Sequence, residues 1–403
     1  MFRLTHYLKE LKSPSPLGPH RQPPGPVVIW NLIRRCNLLC KHCYSISGDV
    51  DFAGELSTDE VYSVIDDLKA FRVPVLILSG GEPLLRPDIY DISARAKDLG
   101  FYVGLSTNGV LIDDDHASRI NDAGYDYVGI SLDGIGEVHD RFRGKAGAFD
   151  DSLAAVRRLK ALGVKVGLRF TMTMDNAANL EPLLDLADSE GVDKIYLSHL
   201  VYAGRGNKNR GTDAEWSVTR DAMDMLIERA WNDVQSGRDR EYVTGNNDAD
   251  GVYLLHWARK YRPEQAAHLE ELLVRWGGNA SGVNIANIDN LGNVHPDTFW
   301  WHYTLGNVRE RRFSEIWHDL GDPVMAGLKH RPRNVKGRCG ACAFLDICGG
   351  NTRVRALQLT GDPWAEDPAC YLSDGEIGID GGGERLVVRP FRGVKHEAKH
   401  HYI

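Results

Sequence analysis

The 403-residue chain predicts an α/β protein: a partial (β/α)6 barrel of the TIM type followed by a smaller cysteine-bearing α+β region. Three observations predict it. Short apolar runs alternate six times with amphipathic stretches of helical spacing between residues 26 and 201. Polar motifs fall at the same point of the alternation, directly after the first four apolar runs. Seven cysteines form two groups, at 36–43 and 339–370, with none between. Six units fall short of the eight that close a barrel, and chemistry in such folds sits at the C-terminal ends of the strands.

The elements follow in order. "PVVIWNLI" (26–33) suits a buried strand. "STDEVYSVIDDLKAF" (57–71) opens on an N-cap at Ser57 or Thr58 and continues as a helix. "VPVLILSG" (73–80) is strand, and "RPDIYDISARAKDLG" (86–100) is helix, with proline at its start and glycine at its end. Strands at 101–109, 125–134, 164–173 and 192–201 then alternate with helices at 114–124, 148–163 and 179–191. Such alternation implies a parallel sheet with right-handed crossovers.

Residues 1–26, rich in proline and polar groups, precede this barrel (27–201) as an arm or cap. Residues 202–280 read as a helical, Trp-rich linker region. Within 281–374, "SGVNIANIDNLGNVHPDTFW" reads as a hairpin turning near Asn290–Gly292, and the second cysteine group follows. Residues 375–403, Gly-rich and then basic and His-rich, read as a flexible tail in which His396, His400 and His401 are solvated.

A formal net charge of -8 argues against broad nucleic-acid binding. No apolar run is long enough to span a bilayer, so no membrane contact is expected. The first twenty residues lack an apolar segment with a small-residue cleavage site. The expected location is the cytoplasm. There, an odd cysteine count in two clusters points to metal sites rather than disulfides.

"RRCNLLCKHCYS" (34–45) places Cys36, Cys40 and Cys43 in a C-x3-C-x2-C array. A structural zinc needs four ligands, and His42, lying between two of the thiols, would strain the loop to serve as one. A zinc knuckle remains the plain alternative. Three thiolates on an iron–sulfur cubane would instead leave one iron open to a small molecule.

This array, with an aromatic residue after its last cysteine and directly after the first strand of a six-unit barrel, resembles the radical SAM superfamily over residues 27–201. The resemblance implies a 4Fe–4S cluster on Cys36, Cys40 and Cys43. Its open iron chelates S-adenosylmethionine (SAM), and one electron from the cluster releases a 5′-deoxyadenosyl radical. An electron donor is therefore implied. "SGGEP" (79–83) resembles the stretch that binds the methionine amino group, with Gly80 and Gly81 allowing close approach and Glu82 pairing with an ammonium. In "STNG" (106–109), Ser106 and Asn108 are placed to meet the ribose hydroxyls. Ser131 and Arg143 resemble residues that contact the SAM carboxylate, which suits the planar guanidinium fork. For Arg143 a surface ion pair is the alternative. Tyr44 would lie near the adenine or pack under the loop.

Cys339, Cys342, Cys348 and Cys370 read C-x2-C-x5-C-x21-C and resemble the auxiliary-cluster region called SPASM, as do "LGNVHPD" and "LGNVRERRFSEIW". A full SPASM region carries further cysteines where Asp297 and Thr352 stand here. The expectation is one auxiliary 4Fe–4S cluster with four thiolates, in a SPASM/twitch-like fold. A zinc ribbon on the same thiols is the alternative.

His199 ends the sixth strand and is a candidate for facing the active site. His295 and His302 flank the hairpin, where they are candidates for approaching a cluster or a substrate metal. Arg205, Lys208 and Arg210, in "AGRGNKNRG", are placed to hold substrate carboxylates at the barrel mouth. An ordinary basic loop and ordinary structural histidines are the alternatives.

Too few residues precede the first strand for a peptide-recognition domain. The arm, the "VVIWNLIRRCNLLCKHCYS" stretch and the reduced auxiliary site look like the tetrapyrrole-modifying radical SAM group, which serves the alternative haem pathway and haem d1 biosynthesis. That resemblance implies removal of propionate side chains from 12,18-didecarboxysirohaem. Action on another tetrapyrrole or on a peptide, and a non-catalytic iron–sulfur scaffold, are the alternatives.

Overall fold

The structure, a computed structural model, describes residues 1–19, 25–379 and 386. The tail histidines at 396, 400 and 401 lie outside the described residues. A first helix, α1 (Leu4–Lys12), precedes the alternation. Then come β1 (Val27–Asn31), α2 (Thr58–Ala70), β2 (Val75–Ser79), α3 (Ile89–Asp98), β3 (Tyr102–Thr107) and α4 (Asp114–Asp122). They are followed by β4 (Tyr127–Ser131), α5 (Glu137–Arg143), α6 (Ala148–Ala161), β5 (Val166–Met172), α7 (Leu180–Ser189) and β6 (Lys194–His199). The six strands pair in parallel and in sequence order. Local chemistry sets the boundaries. At α2 the Ser57 side chain accepts from the Glu60 amide while the Glu60 side chain accepts from that of Ser57, a reciprocal cap. Helix α5, absent from the sequence reading, is two turns long and carries Arg143 at its end.

Strand parity separates two faces. Val103, Leu105, Val128, Ile130, Leu168, Phe170, Ile195 and Leu197 are buried against the helices in one continuous core. The opposite face is more polar and more open: Ser106, Ser131, Arg169 and Thr171 are half-buried on it, alternating with glycines. Ser131 and Arg169 stand side by side in the β4–β5 register.

The sheet does not stop at six strands. Past α8 (Gly204–Lys208) and the long α9 (Trp216–Ser236), β7 (Glu241–Gly245) pairs in parallel with β6. This strand lies in the stretch read as helical. Its five residues, "EYVTG", follow a basic turn and carry no flanking periodicity of their own. Helix α1 packs on β7, and Phe2 exchanges backbone hydrogen bonds with Thr244, so the arm covers that sheet edge.

Helices α10 (Ala249–Tyr261) and α11 (Pro263–Trp276) lead to β8 (Ile285–Ile288), which pairs in parallel with β1. The expected hairpin is present: β9 (Asn293–His295) returns antiparallel to β8, and β10 (Gly306–Asn307) joins β9. The sheet thus runs β10-β9-β8-β1-β2-β3-β4-β5-β6-β7. Five short helices follow: α12 (Phe313–His318), α13 (Pro323–Lys329), α14 (Gly337–Gly340), α15 (Leu345–Cys348) and α16 (Arg353–Thr360). Among the described residues no helix is long and apolar enough to cross a membrane.

Candidate active site

The loop after β1 carries the first three thiols. Cys36 and Cys40 are buried and Cys43 half-buried, packed together with Leu38, Val110 and Ala148. All seven cysteines are free. Among the described residues no three His, Cys, Asp or Glu side chains converge where a single ion would sit.

The loop is held from outside. Leu39 and Lys41 amides donate to the Arg143 and Phe142 carbonyls at 3.2 and 3.1 Å. Arg34 Nε donates to the Ser45 carbonyl at 3.0 Å. Arg205 Nε donates to the Cys40 carbonyl at 2.7 Å, and its Nη1 to that of Ser47 at 2.8 Å. Gly204, at φ +53, lies so close that a Cβ there would be 2.3 Å from the Tyr44 carbonyl. Burial pushes the Cys36 and Cys40 thiols above their ordinary range. Burial also acts on Cys43, but Arg205 and hydrogen bonds from Ser45 and Ser47 outweigh it and leave that thiol lowered. Positive charge thus reaches the loop at two points, from Arg143 at Cys40 and from Arg205 at Cys43. His42 is stacked on Phe142 with centroids 4.8 Å apart, and burial lowers it to about 4, so the ring is neutral.

At the end of β2, Gly81 meets the cysteine loop so tightly that a Cβ would fall 2.2 Å from the Arg35 carbonyl. The Gly81 amide donates to the Ile33 carbonyl at 2.6 Å. Glu82, expected to face an ammonium, is fully buried and ties this loop to β3. Its oxygens accept from the amides of Leu84 (3.2 Å) and Asn108 (2.8 Å) and from Thr107 Oγ1 (2.7 Å). Burial outweighs those bonds and raises it to about 6. Asn108 turns toward the cysteine loop, donating to Asn37 Oδ1 at 2.8 Å and standing 4.0 Å from Cys36 Sγ. Ser106 accepts from Arg169 on the open face of the sheet.

Arg143 is buried rather than on the surface. Its Nη1 donates to Cys40 Sγ at 3.5 Å, its Nη2 pairs with Asp133, and its buried Nε has no partner. Asp133, which the sequence reading missed, is fully buried and also accepts from the Thr171 amide at 2.6 Å. Its signal was available: it stands two residues after Ser131, at the same strand end. Tyr44 accepts from Asn31 Nδ2 at 2.8 Å and meets Phe299 and Trp301 edge-on. It therefore joins the loop to the hairpin region.

The second group assembles from four segments. Cys339 lies in α14, Cys342 just after it, Cys348 ends α15, and Cys370 arrives from beyond α16. Cys348 is the deepest. Burial pushes it well up, and Asp248 and the other three thiols add to that, so the four are neighbours. Arg338 Nη1 donates to Cys370 Sγ at 3.2 Å, and its Nε donates to Asp374 at 2.6 Å. Where further cysteines would stand, Asp297 is buried in contact with Ser281 and accepts from the Phe299 amide at 2.7 Å. Thr352 Oγ1 donates to the Asn246 carbonyl at 3.0 Å.

Several other expected site residues lie elsewhere. His199 falls on the helix-facing side of β6, bound to Asp250 at 3.0 Å, because parity puts Ser198 and not its neighbour on the open face. Arg205 clamps the cysteine loop instead of reaching outward. Arg210 is buried against Asn207 and the Gln358 carbonyl. Lys208 is exposed at the end of α8. His295 is buried between the Tyr303 carbonyl and Asp289, and His302 stacks on Trp300.

Residues 30–189 match the family model of the radical SAM superfamily. The chain is 57% identical over 405 residues, covering 100% of both chains, to a protein named pre-heme d1 synthase from Dinoroseobacter shibae. It is 46% identical over 370 residues to a protein named Fe-coproporphyrin III synthase from Methanosarcina barkeri, covering 91% of this chain and 93% of that one. The fold superposes on Streptococcus suis SuiB bound to S-adenosylmethionine with a TM-score of 0.67 at 17% identity, covering 88% of this chain and 79% of that one. The chain belongs to the radical SAM superfamily, whose members use SAM and a 4Fe–4S cluster.

Proposed function

We propose that this radical SAM enzyme acts in haem d1 biosynthesis, removing propionate side chains from 12,18-didecarboxysirohaem. The observation that carries this is the end-to-end 57% identity to a pre-heme d1 synthase. The Fe-coproporphyrin III synthase relative supports an iron tetrapyrrole as the substrate class.

In this reading Cys36, Cys40 and Cys43 hold the SAM-binding cluster, and Cys339, Cys342, Cys348 and Cys370 hold one auxiliary 4Fe–4S cluster. The donor chemistry fits: three thiols share a basic surround with Arg143 and Arg205, and four thiols share Arg338. Cys36, Cys40 and Cys43 would hold the first cluster, which, with SAM and one electron from an external donor, would supply the radical chemistry needed to take hydrogen from a propionate carbon. The chain's own residues orient and exclude. Gly80 and Gly81 let the β2 loop pack directly on the cysteine loop, which sets the backbone that would meet the methionine amino group. Ser106, Asn108, Ser131 and Arg143 line its path, and Tyr44 closes the loop side. Glu82 acts here by fixing the β2 loop to β3 rather than as a free counter-ion. The auxiliary group has four thiolates and so no open iron, which favours electron passage or a structural part.

The test is anaerobically reconstituted protein with SAM, dithionite and 12,18-didecarboxysirohaem, following 5′-deoxyadenosine and tetrapyrrole mass together. Loss of propionate-derived mass coupled to 5′-deoxyadenosine is expected. Loss of carbon dioxide alone would move the assignment to a decarboxylating relative, and an unchanged tetrapyrrole would remove the tetrapyrrole reading.

A further inference from the structure

On the open face of the sheet one guanidinium has no acidic partner among the described residues. Arg169 lies mid-strand on β5, half-buried. Its Nη1 donates to the Ser106 hydroxyl on β3, and its plane lies over the Tyr196 ring at 5.3 Å. Its stem crosses Gly129 of β4, where a Cβ would fall 3.0 Å from Arg169 Cδ.

Neighbouring cations are balanced differently. Lys194, on the same face, pairs with Glu241 at 3.0 Å. Arg143 pairs with Asp133. Arg169 has a hydroxyl and a ring, neither of which carries charge. A half-buried guanidinium held over a glycine and a tyrosine is a pre-set fork for a planar anion.

We propose that Arg169 binds a carboxylate side chain of the substrate on the open face of the sheet. This rests on the tetrapyrrole reading given above and names the residue that meets the substrate's acidic edge. Arg143 stands 3.5 Å from a cluster thiol, whereas Arg169 touches none of the seven cysteines. In the reading proposed above, Arg143, beside a cluster thiol, would be the residue that meets the SAM carboxylate. Arg169 is left for an anion arriving on the open face. Ser106 orients the fork and Tyr196 keeps it flat.

The experiment measures equilibrium binding under anaerobic conditions to wild type, Arg169→Gln and Arg169→Lys. The ligands are 12,18-didecarboxysirohaem, its fully methyl-esterified form and, separately, SAM. Iron content and thermal melting confirm that each variant is folded and loaded. The wild type should bind the free acid more tightly than the ester. Arg169→Gln should bind the acid about ten- to a hundredfold more weakly and lose the preference over the ester. Arg169→Lys should recover part of the affinity, since charge survives but the fork does not. SAM affinity should fall less than tetrapyrrole affinity in Arg169→Gln, since Arg169 reaches the SAM path only through Ser106. A fall in SAM affinity with tetrapyrrole affinity intact would overturn the assignment and give the guanidinium to SAM. Equal tetrapyrrole affinity in wild type and Arg169→Gln would overturn it alone, leaving the tetrapyrrole reading in place. A wild type that binds no tetrapyrrole would overturn both.

Discussion

The two cysteine groups are built on opposite plans. The first is a loop of eight residues whose support comes from far away in sequence: Asn108 reaches it from the end of β3, Arg143 from α5 and Arg205 from α8. The second draws most of its support from its own neighbourhood, since Arg338, adjacent to Cys339, ties in Cys370 and Asp374. A three-thiol group must leave one side open toward the sheet, so the surrounding barrel has to define its shape. A four-thiol group closes on itself and can be set by local loops.

The hardest test of this contrast is to remove one thiol from each group. Cys36→Ala should bring reductive SAM cleavage to background. Cys342→Ala should keep uncoupled cleavage while substrate turnover is lost. Equal loss of cleavage in both, measured as 5′-deoxyadenosine, would sink the division between an open and a closed site.

A sharper test targets the local tie. Arg338→Gln removes a charged hydrogen bond to Cys370 and an ion pair to Asp374, interactions of roughly 1.5–3 kcal/mol each when buried. Iron of the second group should then be released faster to a chelator, with the iron of the first group retained. Indiscriminate loss from both groups would show that the second is not self-contained.

Next in size is the place where further cysteines would stand. Asp297→Cys breaks the buried contact with Ser281 and should lower stability by about 1–3 kcal/mol. Iron content should not rise, even when Thr352→Cys is added. Four more irons per chain in the double variant would show that this region keeps a latent cluster site.

The smallest expected effect is a pH slope on the barrel side. Glu82 is raised by burial to about 6, above its ordinary value of 4.5. The folded chain therefore holds this proton more tightly than the unfolded chain. The resulting stabilisation is full below about pH 4.5 and is lost as pH rises through 6, a swing of about 2 kcal/mol. In cluster-free protein, Glu82→Gln should flatten the dependence of melting on pH across that window. An unchanged slope would show that the buried network around Glu82 does not titrate.

Much of this plan was legible in the sequence, because it rests on local patterns. Short apolar runs, helical stretches with caps, and cysteines a few residues apart are short-range signals. They located six strands, five of the helices between them and both thiol groups. The β8–β9 hairpin was legible from its turn residues for the same reason. What lay beyond the sequence depended on contacts between distant segments. Strand β7 exists because β6 offers an unpaired edge and α1 covers the result, and five residues cannot announce that. Which side of a strand faces the barrel mouth follows from pleat and register. That geometry sent His199 to Asp250 and put Arg169 on the open face. Burial then decided the roles of charged groups: it drew Arg143 to Asp133, and Glu82 to the end of β3. The sequence by itself determined the six-unit barrel and the two cysteine groups, since both are encoded in spacing. The tertiary structure alone decided which charges are already balanced, because a buried charge must find its partner in space.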